Sequence, residues 1–142
     1  MKIKIKTLTP TATLPTRMSS MAAGYDLFAD IENDVIIKPL QRILIPTGIA
    51  IAIPENYEAQ IRPRSGMAIN YGITVINSPG TIDSDYRGEI KIGLVNLSNE
   101  EFAISKGSRI AQMIISKHET IDFELTEELT ETLRGTGGFG ST

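Results

Sequence analysis

The stretch "ITVINSPGTIDSDYRGEIKIGLVN", Ile73–Asn96, sets the architecture of the whole chain. Its flanking runs, "ITVI" (Ile73–Ile76) and "IKIGLVN" (Ile90–Asn96), are filled by β-branched and aliphatic residues. Asn, Ser, Pro, Gly and Asp punctuate between them, which predicts two antiparallel strands joined as a β-hairpin by a tight turn. Hairpin tips ordinarily carry small turn residues. Here Asp83, Asp85, Tyr86 and Arg87 crowd onto the connection, which points to a polar ligand gripped by backbone and side-chain groups together.

The same pattern extends in both directions. Lys2–Lys6 alternate lysine and isoleucine, the period-two signature of a half-buried strand. Strand-length apolar runs follow at Val35–Ile37, Ile43–Ile45, Ile49–Ile53, Tyr57–Ile61, Phe102–Ile104 and Ile110–Ile115, separated by Pro39, Pro46, Gly48, Pro54, Pro63 and Gly107. Many short strands with such turns predict an all-β, jelly-roll-like barrel or sandwich. One short helix is expected at "SGMAINYG", Ser65–Gly72, with Ser65 as its cap and Gly72 as its terminator. Its free amides, with Arg64 just before them, offer a phosphate site. "TEELTETLR", Thr126–Arg134, lacks an apolar stripe and reads as irregular.

Composition narrows the chemistry. At 142 residues the chain fits one domain large enough to bury a core without staples. The absence of cysteine excludes disulfides, thiolate nucleophiles and cysteine zinc sites, and one histidine, His118 in the charged stretch "SKHET", reads as a solvated surface residue. A general base is therefore expected to be a carboxylate unless a lysine or tyrosine takes the part, which points back to Asp83 and Asp85, of which only one need be catalytic. The net charge of −3 and pI near 5.2 argue against bulk nucleic-acid binding. No apolar run reaches membrane-spanning length and "MKIKIKTL" lacks a signal-peptide core, so a soluble, intracellular protein without membrane attachment is expected, cytoplasmic if bacterial and in a host compartment if viral.

Arg62, Arg64, Arg87, Arg109 and Arg134 each lie within two residues of a Gly, Pro or Ser turn, and the planar guanidinium suits phosphate oxygens. The tail "RGTGGFGST", Arg134–Thr142, combines flexible glycines with one stacking ring, Phe139, and with oxygen-binding groups at Arg134, Ser141 and Thr142. Such an arm suits a lid over a base and its phosphates. Together with the hairpin it points to a nucleotide-hydrolysing enzyme.

Five segments in order carry a family resemblance: "AGYDLFA" (Ala23–Ala29), "RPRSGMA" (Arg62–Ala68), "NSPGTIDSDYRGE" (Asn77–Glu89), "GSRIAQMII" (Gly107–Ile115) and "RGTGGFGST" (Arg134–Thr142). The chain resembles the trimeric dUTPases, which split dUTP to dUMP and pyrophosphate, providing dUMP for thymidylate synthesis and keeping uracil out of DNA. The resemblance implies a jelly-roll-like body over residues 1–133 and an arm over 134–142 that closes a neighbouring site in a homotrimer with shared active sites.

By motif, Asp83 looks like the carboxylate activating the attacking water, and Tyr86 like the ring against the deoxyribose. Asn77 and the backbone of Thr81, Ile82 and Asp83 resemble the uracil reader, with Lys91 a further contact. Arg64, Ser65, Gly66 and Gln112 look like phosphate ligands. Phe139 would cover the uracil, Gly140 beside it would also bind substrate, and Arg134, Ser141 and Thr142 would hold the γ-phosphate. Asp26 resembles the aspartate that organises magnesium through water, the Mg2+ being held otherwise by the substrate phosphates. Met67 and Met113 stand where leucine is more usual, which preserves size and apolarity. A dCTP deaminase of related fold would need a carboxylate for the exocyclic amine, and the "DYRG" tyrosine and full arm disfavour it. A noncatalytic nucleotide sensor would have no need of Asp83.

Overall fold

Ile73–Val75 and Lys91–Asn96 pair antiparallel, with Ile73 opposite Asn96 and Val75 opposite Leu94, as the apolar runs predict. The computed structural model describes residues 1–140. Among these the elements run β1 (Lys4–Thr7), β2 (Tyr25–Phe28), β3 (Val35–Ile37), β4 (Arg42–Pro46), β5 (Ile49–Ala52), β6 (Tyr57–Arg62), α1 (Ser65–Tyr71), β7 (Ile73–Val75), β8 (Gly80–Ile82), β9 (Lys91–Asn96), β10 (Phe102–Ile104) and β11 (Arg109–Lys117). The strands form four sheets, β2-β11-β6-β8, β4-β9-β7, β1-β5 and β3-β10, none of which closes into a barrel. Of the two expected forms, the open sandwich-like one is present.

Alternation decides which side chains enter the core. Along β9, Ile92, Leu94 and Asn96 are buried while Lys91 is exposed, and Ile45, Ile49, Ile73 and Ile104 meet them from other strands. Each such aliphatic contributes about 1.5–3 kcal/mol by leaving water. Asn96 is the polar exception, with no exposed surface. Its amide nitrogen donates to the carbonyls of Ile37 (2.9 Å) and Glu100 (2.7 Å), and its oxygen accepts from the amide (2.9 Å) and hydroxyl (2.8 Å) of Ser98. Every amide direction is thus satisfied, which keeps a buried polar group from being costly.

Three sequence expectations need correction. Arg64, not Ser65, is the N-cap of α1, in extended conformation (φ −86°, ψ 128°), and no side chain caps the helix. Gly72 does end it, at φ 67°, where a Cβ would lie 2.9 Å from the Ser98 nitrogen. The strand predicted at Lys2–Lys6 is β1, and it is exposed throughout rather than half-buried, because its apolar side faces an open cleft of about 440 Å³ lined by Ile3, Ile5, Leu14, Tyr25 and Met113. The central hairpin is not closed by a tight turn: its connection contains β8, which crosses to the other sheet and pairs with β6. No helix among the described residues is long and apolar enough to cross a membrane.

Candidate active site

The crossing strand positions the predicted chemistry. Gly80 opposes Ile61 and Thr81 opposes Gln60, and Gly80 sits so close to its surroundings that a Cβ would meet Asn77 Nδ2 at 3.1 Å and Ile61 Cβ at 3.4 Å. Only a small residue lets the chain change sheets there. β8 is the last strand of its sheet, so the backbone groups along its outer edge have no strand partner within the described chain.

Asp83 follows, exposed, at the mouth of a depression of about 270 Å³ lined by Leu44, Thr81, Ile82, Asp83, Tyr86, Glu89 and Lys91. The loop is closed by its own bonds. The Tyr86 amide donates to the Asp83 carbonyl (3.2 Å), and Arg87 Nη1 donates to the carbonyls of Ser84 (2.6 Å) and Tyr86 (2.8 Å). Glu89 accepts from the Gly48 amide (3.0 Å) and pairs with Lys91 (3.5 Å), while the buried Thr47 hydroxyl donates to the Ile90 carbonyl (2.6 Å). The loop's return is therefore pinned to the β4–β5 turn. Asp83 also borders a second depression with Tyr57, Glu58, Asp85 and the exposed His118.

A second cluster gathers Asp26 on β2, Arg64 before α1, and Arg109 and Gln112 on β11. Asp26, 9% exposed, pairs with Arg64 Nε (3.4 Å) and Arg109 Nη1 (3.1 Å). Arg64 also donates to the Arg109 carbonyl (3.0 Å), and Gln112 Nε2 donates to the Pro63 carbonyl (3.0 Å). Burying a carboxylate is tolerated when it is paired on both oxygens, and the pairing fixes the two guanidinium planes. Beside them, Ser65 and Gly66 are exposed, and the first intrahelical bond runs from the Ala68 amide to the Arg64 carbonyl at 3.0 Å. The earlier amides of the turn, Ser65 to Met67, are left for other acceptors.

The two clusters are held on one sheet but toward opposite ends of β6: Ile82, next to Asp83, opposes Ala59, whereas Arg62 at the other end opposes Gln112 and leads to Arg64. From Ala59 to Arg64 the chain covers roughly 16 Å at about 3.3 Å per residue. The arm adds a third part. Among the described residues, the hydrogen bonds of 120–140 stay within that segment, including Arg134 Nε to the Gly137 carbonyl (2.9 Å), and Phe139 is fully exposed. Gly140 is also exposed. Ser141 and Thr142 lie outside the described residues.

The dUTPase family model matches residues 10–142. The chain belongs to the dUTPase family. It is 58% identical over 142 residues to a deoxyuridine 5'-triphosphate nucleotidohydrolase of Rickettsia felis, covering 99% of this chain and 96% of that protein. The corresponding Finegoldia magna protein is 60% identical over 144 residues, covering 100% and 99%. The dUTPase of Staphylococcus bacteriophage 80alpha with dUPNHPP superposes with a TM-score of 0.90 at 27% identity, over 99% of this chain and 98% of that one. A variant dUTPase of phage phi11 of S. aureus, described with a coordinated structural Mg(II) ion, gives 0.83 at 23% identity over 92% of this chain and 100% of that one, a likeness of fold. The jelly-roll-like β architecture of the dUTPases is the fold of this chain.

Several residues of this dUTPase were not legible as site residues. Arg109 stands out in the sequence only as one of the turn arginines and as part of the "GSRIAQMII" motif, with no role of its own. Its pairing with Asp26 depends on the β2–β11 register, which shifts between Arg109 and Ala111. Glu89 and Gly88 lie inside the quoted motif without a role, because their partners sit at Gly48 and on the Tyr86 ring. Elsewhere, Asp30 accepts hydrogen bonds from Thr11 (2.6 Å) and Thr9. Those two hydroxyls, Thr11 foremost, and the charge of Lys106 hold its carboxyl below its ordinary 3.8 against the opposing effect of burial.

Proposed function

We propose that this chain is a dUTP diphosphatase that hydrolyses dUTP to dUMP and pyrophosphate by water attack at the α-phosphorus. The observation that carries the reading is the shared depression at the end of β8, where a carboxylate, Asp83, and an aromatic ring, Tyr86, face one cavity beside an unpartnered strand edge. Asp83 takes the proton of the attacking water, and its exposure leaves it open to that water. The amide and carbonyl groups of Thr81–Asp83, with Asn77 in the preceding turn and Lys91 beyond the loop, read uracil. Cytosine, whose donor and acceptor are exchanged at that edge, would leave those groups unpaired. Tyr86 packs on the deoxyribose and rejects a 2′-hydroxyl.

Arg64, Ser65, Gly66 and Gln112 bind phosphate oxygens, Asp26 holding the arginine in place. Asp26 also bears on the metal. Both its oxygens already face guanidinium groups, and among the described residues no three His, Cys, Asp or Glu side chains come together as metal ligands. These residues fit Mg2+ held by the triphosphate with Asp26 acting through water. When bound, the ion supplies charge neutralisation at the phosphates.

The separation of the two clusters supports a homotrimer whose sites are shared between chains. So does the segment after β11: Ile121, Phe123 and Leu125 are exposed and alternate with Asp122 and Glu124, while the run Lys2–Lys6 leading into β1 offers Ile3 and Ile5 alternating with Lys2, Lys4 and Lys6. The patterns are complementary in polarity and charge. The arm of one chain then reaches a site of its neighbours, with Phe139 and Gly140 over the base and Arg134, Ser141 and Thr142 on the γ-phosphate.

Pyrophosphate release from dUTP with magnesium tests the reading. Asp83→Asn is expected to keep nucleotide binding while lowering kcat by about 10²–10⁴. Unchanged turnover in that variant, or none in the wild type, overturns it.

A further inference from the structure

The geometry points to Gly88 and the Glu89 carbonyl as positioning residues that set the plane of the Tyr86 ring, an inference that rests on the dUTP diphosphatase reading. Gly88 does not need to be glycine for its backbone: it is not among the glycines with positive φ, which are Gly48, Gly72, Gly107, Gly135 and Gly140. What it lacks room for is a side chain. A Cβ at position 88 would lie 2.5 Å from Tyr86 Cζ and 3.0 Å from Cε2, with Oη in contact as well. All three near atoms belong to the one ring.

The ring therefore folds back over its own chain two residues later, using the space a methyl group would fill. Its hydroxyl completes the seat by donating to the Glu89 carbonyl at 2.9 Å. That carbonyl is not free to drift, because the Glu89 side chain accepts from Gly48 at 3.0 Å and faces Lys91 at 3.5 Å. On the other side, Arg87 clamps the Ser84 and Tyr86 carbonyls. A half-exposed tyrosine would otherwise sample several rotamers, and a ring that samples them cannot exclude one hydroxyl group. Neither Gly88 nor Glu89 touches the reacting atoms; they act through the ring.

Because the three atoms nearest the added methyl group all belong to the far end of the Tyr86 side chain, Gly88→Ala is expected to displace that side chain and leave the fold intact. In the ligand-free protein the Tyr86 ring resonances, assigned by their loss in Tyr86→Ala, should shift in Gly88→Ala. With substrate, KM for dUTP should rise while kcat stays close to wild type, and the preference for dUTP over UTP should fall by about tenfold or more. In a Tyr86→Ala background, adding Gly88→Ala should change nothing further, since the obstructing ring is gone.

A penalty of Gly88→Ala that persists in the Tyr86→Ala background overturns the proposal by showing a backbone role. Unmoved ring resonances, or an unchanged dUTP to UTP preference, overturn it equally. Failure of the wild type to cleave dUTP removes the enzyme reading and the specificity role together, whereas intact cleavage with an unmoved ring removes the seat alone.

Discussion

Asp26 shows how one buried charge can organise two others. Its carboxylate is nearly sealed from solvent and holds Arg64 and Arg109 in fixed planes, so neutralising it frees both guanidinium groups at once. Asp26→Asn is expected to lower kcat/KM for dUTP by about 100-fold, the usual result of misplacing a positioning group by an ångström. Steady-state kinetics of the folded variant check this. Asp30 makes a different prediction, about stability. Its folded pKa lies below its ordinary 3.8, so its contribution is complete above that value and is lost as the pH falls toward the folded pKa. Urea midpoints of wild type and Asp30→Asn should therefore differ by a constant amount near neutrality and converge below about pH 4. A gap that persists at low pH would assign Asp30 a packing role instead.

Among the elements, the pairing of β7 with β9 was plain in the sequence because each is a run of aliphatic residues bounded by turn formers. β8 was not, since its three residues "GTI" lie between Pro79 and Asp83 and acquire strand character only from β6, about twenty residues earlier. β2 was likewise hidden as a strand, because Asp26 interrupts its apolar pattern. The same residue that obscures the strand is the one that pairs with Arg64 and Arg109. Ser65 reads as a cap by residue type, yet its neighbour Arg64 takes that position with an extended backbone, drawn there by the ion pair and the bond to the Arg109 carbonyl. Long-range register decides such matters, and a local pattern does not carry it. The junction of β3, β9 and β10 rests on Asn96. Asn96→Asp would turn a carboxylate oxygen toward the Ile37 and Glu100 carbonyls and is expected to cost about 3 kcal/mol or more, read as a lowered denaturation midpoint.

The whole molecule is divided: the Asp83–Tyr86 loop lies toward one end of β6, the Asp26, Arg64, Arg109 and Gln112 cluster toward the other, and the arm bonds only within itself among the described residues. Phe123, almost fully exposed, lies in the segment expected to join the copies. Phe123→Asp should leave the core intact and shift the sedimenting species from the proposed trimer to a monomer, with dUTP turnover falling in step. A monomer of undiminished activity would contradict the shared site. The open β1 face carries a wider consequence for the proposed trimer: its activity would obey mass action. At dilutions below the dissociation constant of that assembly, every subunit would keep its aspartate and tyrosine and yet turn over nothing, so specific activity would be a property of the solution as much as of the chain.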